Sequence, residues 1–383
     1  MVKQVYLFPG FGASELGLFA TGEVLWWDPS LFMLLGIGAM RLAPNGTDPG
    51  PPDGQVIGVD LNPQNPWGLI RGLLNFQLGA DWNCRVVPYD WRKDIIISAN
   101  ETATAIRGNV TADNPATLVG HSMGGLLCTA VWRILGTTNQ QNLVRRIITI
   151  CSPFQGSYGP ISWLNGGSPM VQQILNCAFP SIALGALPAL KWTLGFLNGV
   201  ALTWPSFYEL FPGLGGSEAI NDPNRALLYN AANYPAIAPA SAAWLGNSRD
   251  TWQPYISAPE AIPPNWVATC VYGTGFETAN KLNTNTAPLD LSKLGTTMDG
   301  DAIVTIGSAQ RTGALNIGVQ GNHSSVPGGI AISGQLADMI RDPRGPITPP
   351  APSKLLVDPI GMNVTDPPEA DDVTGLVCIG GHC

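Results

Sequence analysis

The nine residues Ala116-Thr117-Leu118-Val119-Gly120-His121-Ser122-Met123-Gly124 carry the strongest indication of the architecture of this chain. The first four residues are apolar or β-branched and predict a short buried strand. Residues 126–135 are rich in helix-forming side chains and contain no proline, which predicts a helix. A G-x-S-x-G turn between a strand and a helix is typical of a nucleophile elbow, which exposes its serine at the carboxyl end of a sheet. The pattern therefore predicts that Ser122 is a nucleophile.

A serine hydroxyl needs a base beside it to become a good nucleophile, and the chain has only three histidines. His121 belongs to the turn itself, and we expect it to point away from the Ser122 hydroxyl. His382 is the penultimate residue of the sequence. His323 stands in the polar stretch Gly321-Asn322-His323-Ser324-Ser325, and polar loops often present catalytic groups. Elimination therefore predicts His323 as the general base.

The acid that orients such a base lies between the serine and the histidine along the chain in hydrolases with this elbow. Asp290, Asp299 and Asp301 all precede His323 closely. Asp301 is the best placed, because it lies in a turn after a predicted strand and just before an Ile-Val pair. A carboxylate there can accept a hydrogen bond from the imidazole and fix its tautomer. Asp299 remains the alternative, and both acids also suit ordinary turns.

The oxyanion that forms in acyl transfer needs two N–H donors. The first candidate is the backbone N–H of Met123, which follows the nucleophile at the start of its helix. Residues 5–8 predict a strand, and Pro9-Gly10-Phe11-Gly12 predicts the loop after it. The glycines allow this backbone to approach a ligand closely. We therefore predict the Phe11 N–H as the second donor.

Composition narrows the possible classes of protein. The chain has 383 residues, of which 45% are hydrophobic and only 12% are charged, with a net charge of −8. An acidic chain without a basic cluster indicates that nucleic acid is not a partner. Neither a phosphate-binding nor a dinucleotide-binding glycine motif is present, and the histidines and cysteines lack metal-ligand spacing, so no cofactor and no metal are predicted. No signal peptide is predicted before the first strand, which leaves a cytoplasmic protein or a mature secreted one.

The order of predicted elements indicates an α/β protein with a mostly parallel sheet flanked by helices. Residues 85–89 predict one of its strands, and Cys151, at the end of another apolar stretch, is predicted to be a small buried core residue. We expect a core made of residues 1–152 and 265–342, with an aromatic-rich insertion at about 13–52. Between 153 and 264 the alternation of strand and helix stops, which predicts a cap or lid inserted over the site. Residues 343–383 predict a proline-rich C-terminal extension.

The predicted cap has an excess of aromatic residues, and we expect Trp204, Phe207 and Phe154 to contact the substrate. Residues 178–202 are its most apolar part, but two prolines and a lysine interrupt them, so a cap lining or a segment at a lipid surface is favoured over a membrane span. Ordinary packing in a second core remains the alternative.

Several motifs together resemble the lecithin:cholesterol acyltransferase and lysosomal phospholipase A2 family. The resemblance covers roughly residues 5–341, and the block Tyr-Asp-Trp-Arg before the elbow is its more specific part. The motifs occur in the order Pro9-Gly10, Tyr89-Asp90-Trp91-Arg92, Gly120-His121-Ser122-Met123-Gly124, Cys151-Ser152-Pro153-Phe154-Gln155-Gly156-Ser157, Tyr272-Gly273-Thr274-Gly275 and Asp299-Gly300-Asp301, followed by His323.

This resemblance implies an α/β-hydrolase core with a cap and a membrane-binding subdomain. It implies that Ser122, Asp301 and His323 match the catalytic triad, and that Phe11 and Met123 match the oxyanion hole. Two features depart from the family. The disulfide-closed loop near its N-terminus is missing, since no cysteine precedes Cys84, and an alanine follows Asp301 where related lipases often carry glycine.

The residues and the resemblance together predict a serine carboxylic-ester hydrolase that acts on apolar or lipid-like esters, as a lipase, phospholipase or esterase does. The alternative is a lipid O-acyltransferase that passes the acyl group to an alcohol. The expected partners are a small-molecule or lipid ester and, transiently, a membrane or lipid surface. A binding protein on the same fold would be expected to lack a triad member, and none is missing.

Overall fold

The computed structural model describes residues 1–21, 23–26, 37–49, 55–59, 66–166, 187–214, 222–234, 241–258, 263, 267–283 and 293–341. Asp290, His382 and the predicted extension at 343–383 lie outside the described residues.

The centre of the molecule is a six-stranded sheet in which every neighbouring pair of strands is parallel. Its strand order is β11-β8-β7-β6-β1-β5. The predicted mostly parallel sheet is therefore confirmed. The described strands are β1 Lys3–Phe8, β2 Leu16–Leu18, β3 Val24–Trp26, β4 Val56–Gly58, β5 Trp82–Val86, β6 Ala116–His121, β7 Val144–Ile150, β8 Ala268–Thr274, β9 Thr278–Leu282, β10 Leu294–Thr297 and β11 Leu315–Gln320.

Helices cover both faces of this sheet, which is why its central strands are almost continuously apolar. All six residues of β6 are buried. The described helices are α1 Ile37–Ala39, α2 Pro66–Leu78, α3 Ile95–Asn109, α4 Met123–Gly136, α5 Gly159–Leu164, α6 Leu187–Ala201, α7 Pro205–Glu209, α8 Ala243–Asn247, α9 Gln253–Ser257, α10 Ile306–Ala309, α11 Ser325–Ile332 and α12 Gln335–Arg341. Residues of α3 and α4 belong to one hydrophobic core, and residues of α2, α11 and α12 belong to a second.

The strand predicted at residues 85–89 begins and ends three residues earlier, as β5. This strand pairs with β1 from Trp82 opposite Lys3, and the Val87 N–H still donates to the Leu7 carbonyl oxygen over 2.8 Å. Pro88 has no N–H to continue the ladder, so pairing ends there.

Two small antiparallel sheets flank the main one. Strands β3, β2 and β4 form a three-stranded sheet, which includes part of the predicted aromatic-rich insertion. Strands β9 and β10 form a hairpin that ends shortly before Asp301. The first small sheet leads out of the loop after β1 and the hairpin leads into the turn that carries Asp301, so both lie beside the carboxyl edge of the main sheet.

Between β7 and β8 the described residues form only helices and helical turns, so the alternation of strand and helix stops there as the sequence predicts. Whether this part acts as a cap stays a prediction, as do the boundaries of the predicted regions. Among the described helices, none is both long enough and apolar enough to cross a membrane.

Candidate active site

Ser122 occupies the sharp turn between β6 and α4. Its backbone has φ 53° and ψ −125°, a conformation that non-glycine residues rarely adopt. The Ser122 N–H donates to the Ile150 carbonyl oxygen over 2.8 Å, which ties the turn to the end of β7. The strained serine is therefore held at the carboxyl edge of the sheet, where ligands bind in open α/β sheets.

The two glycines of the motif are required because backbone atoms pass very close to them. A Cβ atom added at Gly120 would lie 2.3 Å from the Gly124 carbonyl oxygen. One added at Gly124 would lie 2.2 Å from the carbonyl oxygen of Phe8, at the end of β1. Either side chain would push α4 away from the sheet and displace the serine.

His323 lies in the loop after β11, and its ring is paired with Asp301. The Nδ1 atom of His323 lies 2.9 Å from Asp301 Oδ2, and the His323 N–H donates to the Asp301 carbonyl oxygen over 2.7 Å. Because a carboxylate can only accept, Nδ1 carries the proton and donates it. The Nε2 atom then has a free lone pair, as a general base for a serine hydroxyl requires.

Three groups stabilise the negative charge of Asp301, a residue that is only 1% exposed. Its Oδ1 atom accepts hydrogen bonds from the N–H groups of Ile303, over 3.0 Å, and Val304, over 2.7 Å. Burial alone raises the pKa of the Asp301 carboxyl, but His323 and these two donors outweigh burial and lower the pKa below its usual value. The carboxylate therefore stays ionised while it orients the imidazole.

Asp299, the alternative acid, has different surroundings. Its side chain is exposed and accepts a hydrogen bond from the Thr297 hydroxyl over 3.2 Å. The structure thus brings Asp301 to the His323 ring, whereas Asp299 caps a turn at the end of β10.

Cys151, which the sequence predicted only as a small core residue, lies at this pair. Its Sγ atom lies within 4.8 Å of both a carboxylate oxygen of Asp301 and a ring nitrogen of His323. Burial first, and then the charge of Asp301, raise the pKa of the Cys151 thiol well above its usual value. A neutral thiol can donate to the carboxylate. Its position directly after β7 was the available signal, because parallel strands end at one edge of the sheet.

Cys151, Asp301 and His323 also form the group of described residues whose donor atoms are close enough to hold a metal ion. The carboxylate and the imidazole are already hydrogen-bonded to each other, and the thiol is in its protonated form. The chemistry of this donor set fits a proton-transfer pair better than it fits a metal site.

On the other side of Ser122 lies the loop that follows β1. A Cβ atom added at Gly10 would lie 2.9 Å from the Cβ of Ser122, so the loop passes directly beside this serine. Met123 begins α4, and N–H groups in the first turn of a helix have no acceptor within the helix. Phe11 and Met123 thus both adjoin the serine, and their role as oxyanion donors stays a prediction.

The Tyr-Asp-Trp-Arg block holds this loop in place. The Tyr89 hydroxyl donates to the Pro9 carbonyl oxygen over 2.7 Å, and the Trp91 indole N–H donates to that of Ser14 over 3.1 Å. Rings of Phe11 and Trp91 pack edge to face with centroids 4.7 Å apart. The block therefore fixes both ends and the centre of the loop.

A buried ion pair supports the block itself. Arg92 is fully buried, and its guanidinium donates two hydrogen bonds to Asp90, over 2.7 and 2.8 Å. It also donates to Asp48 over 2.7 Å and to the Met40 carbonyl oxygen over 3.2 Å. Asp48 belongs to the predicted insertion, so the ion pair joins the insertion to the block.

The three predicted substrate-contacting residues are all buried, with 2% of Trp204, 1% of Phe207 and 4% of Phe154 exposed. Trp204 and Phe207 pack near the Phe11 ring, at centroid distances of 5.8 and 6.4 Å. Phe154 instead lies under the Arg311 guanidinium, 4.5 Å away. The first two therefore adjoin the oxyanion loop, and contact of any of the three with a substrate stays a prediction.

After Cys151, His121 is the second residue whose closeness to His323 was not predicted from the sequence. Its Nε2 atom lies 2.9 Å from the carbonyl oxygen of His323. The two imidazole rings have centroids 4.7 Å apart. The only sequence signal was its place next to Ser122, at the edge of the sheet where the loops after the parallel strands converge.

Known proteins resemble this chain in sequence and in structure. A model described as the alpha/beta hydrolase family matches residues 37–278, more than half of the chain. One chain of the Tle4–Tli4 complex is similar to it with a TM-score of 0.54 and 13% identity, over 88% of this chain and 98% of that one. No curated protein matches the sequence significantly.

Two further solved structures are more distantly similar. The mature Bacillus licheniformis lipase BlEst2 has a TM-score of 0.40 and 12% identity, over 89% of this chain and 91% of its own. The type II thioesterase YbtT of the yersiniabactin biosynthetic pathway has a TM-score of 0.39 and 11% identity, over 90% of this chain and 95% of its own. The narrower resemblance to the lecithin:cholesterol acyltransferase and lysosomal phospholipase A2 family stays a prediction.

Proposed function

Because the chain belongs to the alpha/beta hydrolase family, we propose that it is a serine hydrolase of apolar or lipid-like carboxylic esters with Ser122, His323 and Asp301 as its triad. One observation carries the proposal: a buried, hydrogen-bonded Asp301–His323 pair at the sheet edge where Ser122 has a strained backbone. Each of the three residues meets one requirement of acyl transfer, namely a nucleophile, a base and an acid that orients the base.

In the first half of the reaction, His323 Nε2 accepts the hydroxyl proton of Ser122 while Oγ attacks the ester carbonyl carbon. The carbonyl electrons move to its oxygen, which the N–H groups of Phe11 and Met123 stabilise. The tetrahedral intermediate then collapses, and the alcohol leaves with the proton that His323 returns to it. An acyl group remains bound to Ser122.

In the second half, a water molecule replaces the alcohol. His323 accepts a proton from water, whose oxygen attacks the acyl-enzyme, and the proton then returns to Ser122 Oγ as the acid leaves. Asp301 stays ionised throughout and stabilises the imidazolium that forms in each half. The lowered pKa of Asp301 supports this role, because a protonated carboxyl could not accept from Nδ1.

The apolar surroundings of Phe11 support an apolar substrate. Its ring contacts four aromatic side chains, at centroid distances of 4.7 to 6.4 Å. These are Trp91, Trp163, Trp204 and Phe207. An ester whose carbonyl oxygen reaches the Phe11 N–H would have this cluster as its neighbour, and apolar groups gain free energy on leaving water for such a surface.

Transfer of the acyl group to an alcohol is the second candidate function. The same aromatic cluster favours it, because an apolar alcohol binds there more readily than water does. Product analysis with a lipid ester, in the presence and absence of a long-chain alcohol, separates the two reactions. A new ester as the main product would assign the chain as an acyltransferase, and free acid alone would assign it as a hydrolase.

Labelling by a fluorophosphonate tests the proposed nucleophile directly. We expect the probe to modify the peptide that contains Ser122, and we expect Ser122→Ala to lower kcat on p-nitrophenyl esters about a million-fold. Ser333→Ala, an exposed serine after α11, is the matched control and should behave as the parent chain. Near-parental turnover by Ser122→Ala would remove the basis of the proposal.

The chain length of the acyl group tests the substrate class. A series of p-nitrophenyl esters from acetate to palmitate should give kcat/KM values that rise with acyl length, because each further buried methylene contributes about 0.8 kcal/mol. A series that falls from acetate onwards would contradict an apolar substrate while leaving the triad intact.

A further inference from the structure

We propose that His121 is a positioning residue for the catalytic base, and that it holds both the backbone and the ring of His323 in register with Ser122. The inference rests on the proposed serine hydrolase function. It assigns a task to the one residue of the elbow motif that has no part in the proposed reaction and is not one of the two glycines that the turn requires.

A hydrogen bond joins His121 to His323 across most of the chain. The His121 Nε2–H donates to the His323 carbonyl oxygen over 2.9 Å, although 202 residues separate the two. His121 ends β6 and His323 follows β11, and two strands, β7 and β8, lie between these in the sheet. The backbone ladder therefore does not bring the two loops together directly, whereas this side chain does.

The His121 ring also limits how the His323 ring can move. It lies between two other rings, with centroid distances of 4.7 Å to His323 and 5.8 Å to Trp67. Trp67 lies on α2 and is only 5% exposed. Because the His121 ring packs against the His323 ring, His323 has little room to rotate away from the orientation in which its Nδ1 atom contacts Asp301.

His121 can do this only as a neutral group. Burial first, and then the neighbouring His323, lower the pKa of His121 to about 3. The carbonyl of His323 fixes the proton on Nε2, so Nδ1 carries a lone pair and has no donor among the described residues. A charged His121 would repel the imidazolium that His323 becomes during each half-reaction.

The remaining edge of His121 faces the oxyanion loop. A Cβ atom added at Gly10 would lie 3.3 Å from His121 Nδ1 and 2.9 Å from the Cβ of Ser122. One imidazole therefore contacts the base while it adjoins the loop on which the predicted oxyanion donor lies. Loss of the His121 imidazole should therefore misplace His323 and the loop of Phe11 in the transition state, rather than weaken substrate binding.

Two polar replacements that differ by one methylene group provide the test. The amide nitrogen of a glutamine lies about as far from the backbone as Nε2 of histidine, whereas that of an asparagine is shorter. We expect His121→Asn to lower kcat about 10- to 100-fold with KM nearly unchanged, and His121→Gln to stay within about fivefold of the parent. His121→Leu, which fills the space without a donor, should resemble His121→Asn.

A spectroscopic measurement separates positioning from loss of fold. The proton shared by His323 and Asp301 should give a low-field proton resonance in the parent chain and in His121→Gln. It should broaden or shift in His121→Asn and His121→Leu. Urea unfolding midpoints of the Gln and Asn variants provide the control, because a merely structural role would lower activity only where the midpoint also falls.

Three results would overturn the inference: parental kcat in His121→Asn, no rescue by His121→Gln, or a low-field resonance that is identical in every variant. Each of these leaves the proposed function intact as long as the parent chain turns over esters and is labelled at Ser122. If the parent itself is neither labelled nor active, the proposed function fails first, and the resonance still reports whether His121 positions His323.

Discussion

On one side of Ser122, called the base side after the proposed role of His323, hydrogen bonds to a buried carboxylate hold Asp301 and His323 together. On the other side, called the oxyanion side after the proposed role of Phe11, the loop of Phe11 is held by hydrogen bonds from distant aromatic residues, by ring packing and by a buried ion pair. Two of the three hydrogen bonds to the Asp301 carboxylate come from N–H groups two and three residues further along its own turn, and the third joins it to the His323 imidazole. The loop is held instead by side chains of the Tyr-Asp-Trp-Arg block, some 80 residues further along the chain.

Because different interactions hold the two sides, we expect substitutions on each side to have different effects. Hydrogen bonds to a charged group set its protonation and its angle, so their loss changes the chemistry more than the fold. Large buried rings and a buried ion pair contribute to the core, so their loss changes the free energy of unfolding first. Substitutions on the base side should therefore lower kcat with little change in the free energy of unfolding. Those on the oxyanion side should lower the free energy of unfolding, whether or not kcat falls as well.

The largest expected effect is that of Asp301→Asn on the base side. An amide keeps the size of the side chain but favours the wrong tautomer of His323, so we expect kcat to fall about ten-thousand-fold. The matched variant Asp299→Asn should stay within about twofold, because that side chain is exposed and outside the pair. Steady-state kinetics on one p-nitrophenyl ester measures both, and the opposite order would transfer the role of the acid to Asp299.

Arg92→Leu should produce the largest loss of stability on the oxyanion side. It removes the buried guanidinium from the carboxylates of Asp90 and Asp48, which keep Lys93 as a cationic neighbour, 3.3 Å from each. We therefore expect a loss at the lower end of the range of about 3–5 kcal/mol of unfolding free energy for a broken buried ion pair. Arg92→Lys keeps the charge but not the paired donors to Asp90, and it should lose less. Urea denaturation measures both. A stable Arg92→Leu chain with low kcat would break the proposed contrast between the two sides.

Tyr89→Phe is a smaller test of the same side. It removes one hydroxyl and leaves the Pro9 carbonyl oxygen without that donor, at a cost of about 1–3 kcal/mol. Because Pro9 adjoins Gly10 and Phe11, kcat should also fall, by less than in Asp301→Asn. Comparing the unfolding free energy with kcat for this one-atom change shows whether loop position and stability are coupled.

Glu209→Gln should give the most gradual effect, visible as a dependence of stability on pH. Glu209 ends α7 and accepts from the Ile95 N–H over 3.0 Å, and burial, followed by the nearby Asp94, raises its pKa well above the usual value. The folded chain thus binds this proton more tightly than the unfolded chain does. The contribution of protonated Glu209 to the free energy of unfolding is fully present below the pKa of the unfolded state, and it is lost as the pH rises through the pKa of the folded state.

The difference in unfolding free energy between the Glu209→Gln variant and the parent chain should therefore change with pH. An amide keeps the acceptor without a charge, so the variant should become progressively more stable than the parent as the pH rises above about 4.5, the unfolded value. Unfolding free energies at several pH values from 4 to 9 would measure this. Parallel curves for the two chains would show that Glu209 has no raised pKa in the folded state.

Local patterns were sufficient to predict the parallel sheet, the strand–turn–helix around Ser122 and the nearness of Asp301 to His323. Residues 116–119 are apolar or β-branched and pair with a strand on each side, so their place in a central strand follows from composition alone. Asp301 was favoured because it follows a strand in a turn, and the structure brings it to His323. The boundary of β5 was wrong by three residues, since a proline decided where pairing could end.

Cys151 and His121 show the limit of such reasoning. Cys151 was predicted as a core residue, and His121 was considered only as a candidate base and set aside, yet both lie close to Asp301 or His323. Nothing in the residues around them distinguishes a thiol or an imidazole that packs in a core from one that faces a reactive pair. Only the convergence of the loops after β6, β7 and β11 at one edge determines which it is.

The sequence by itself determined the strand–turn–helix around Ser122, because glycine spacing and apolar runs act over a few residues. It also determined the chain order of serine, acid and histidine. The tertiary structure decided what surrounds these residues: the packing of Phe11, the burial of Trp204, Phe207 and Phe154, and the hydrogen bond from His121 to His323. These contacts join segments 80 to 202 residues apart, and their energies depend on burial and distance, which local patterns do not encode.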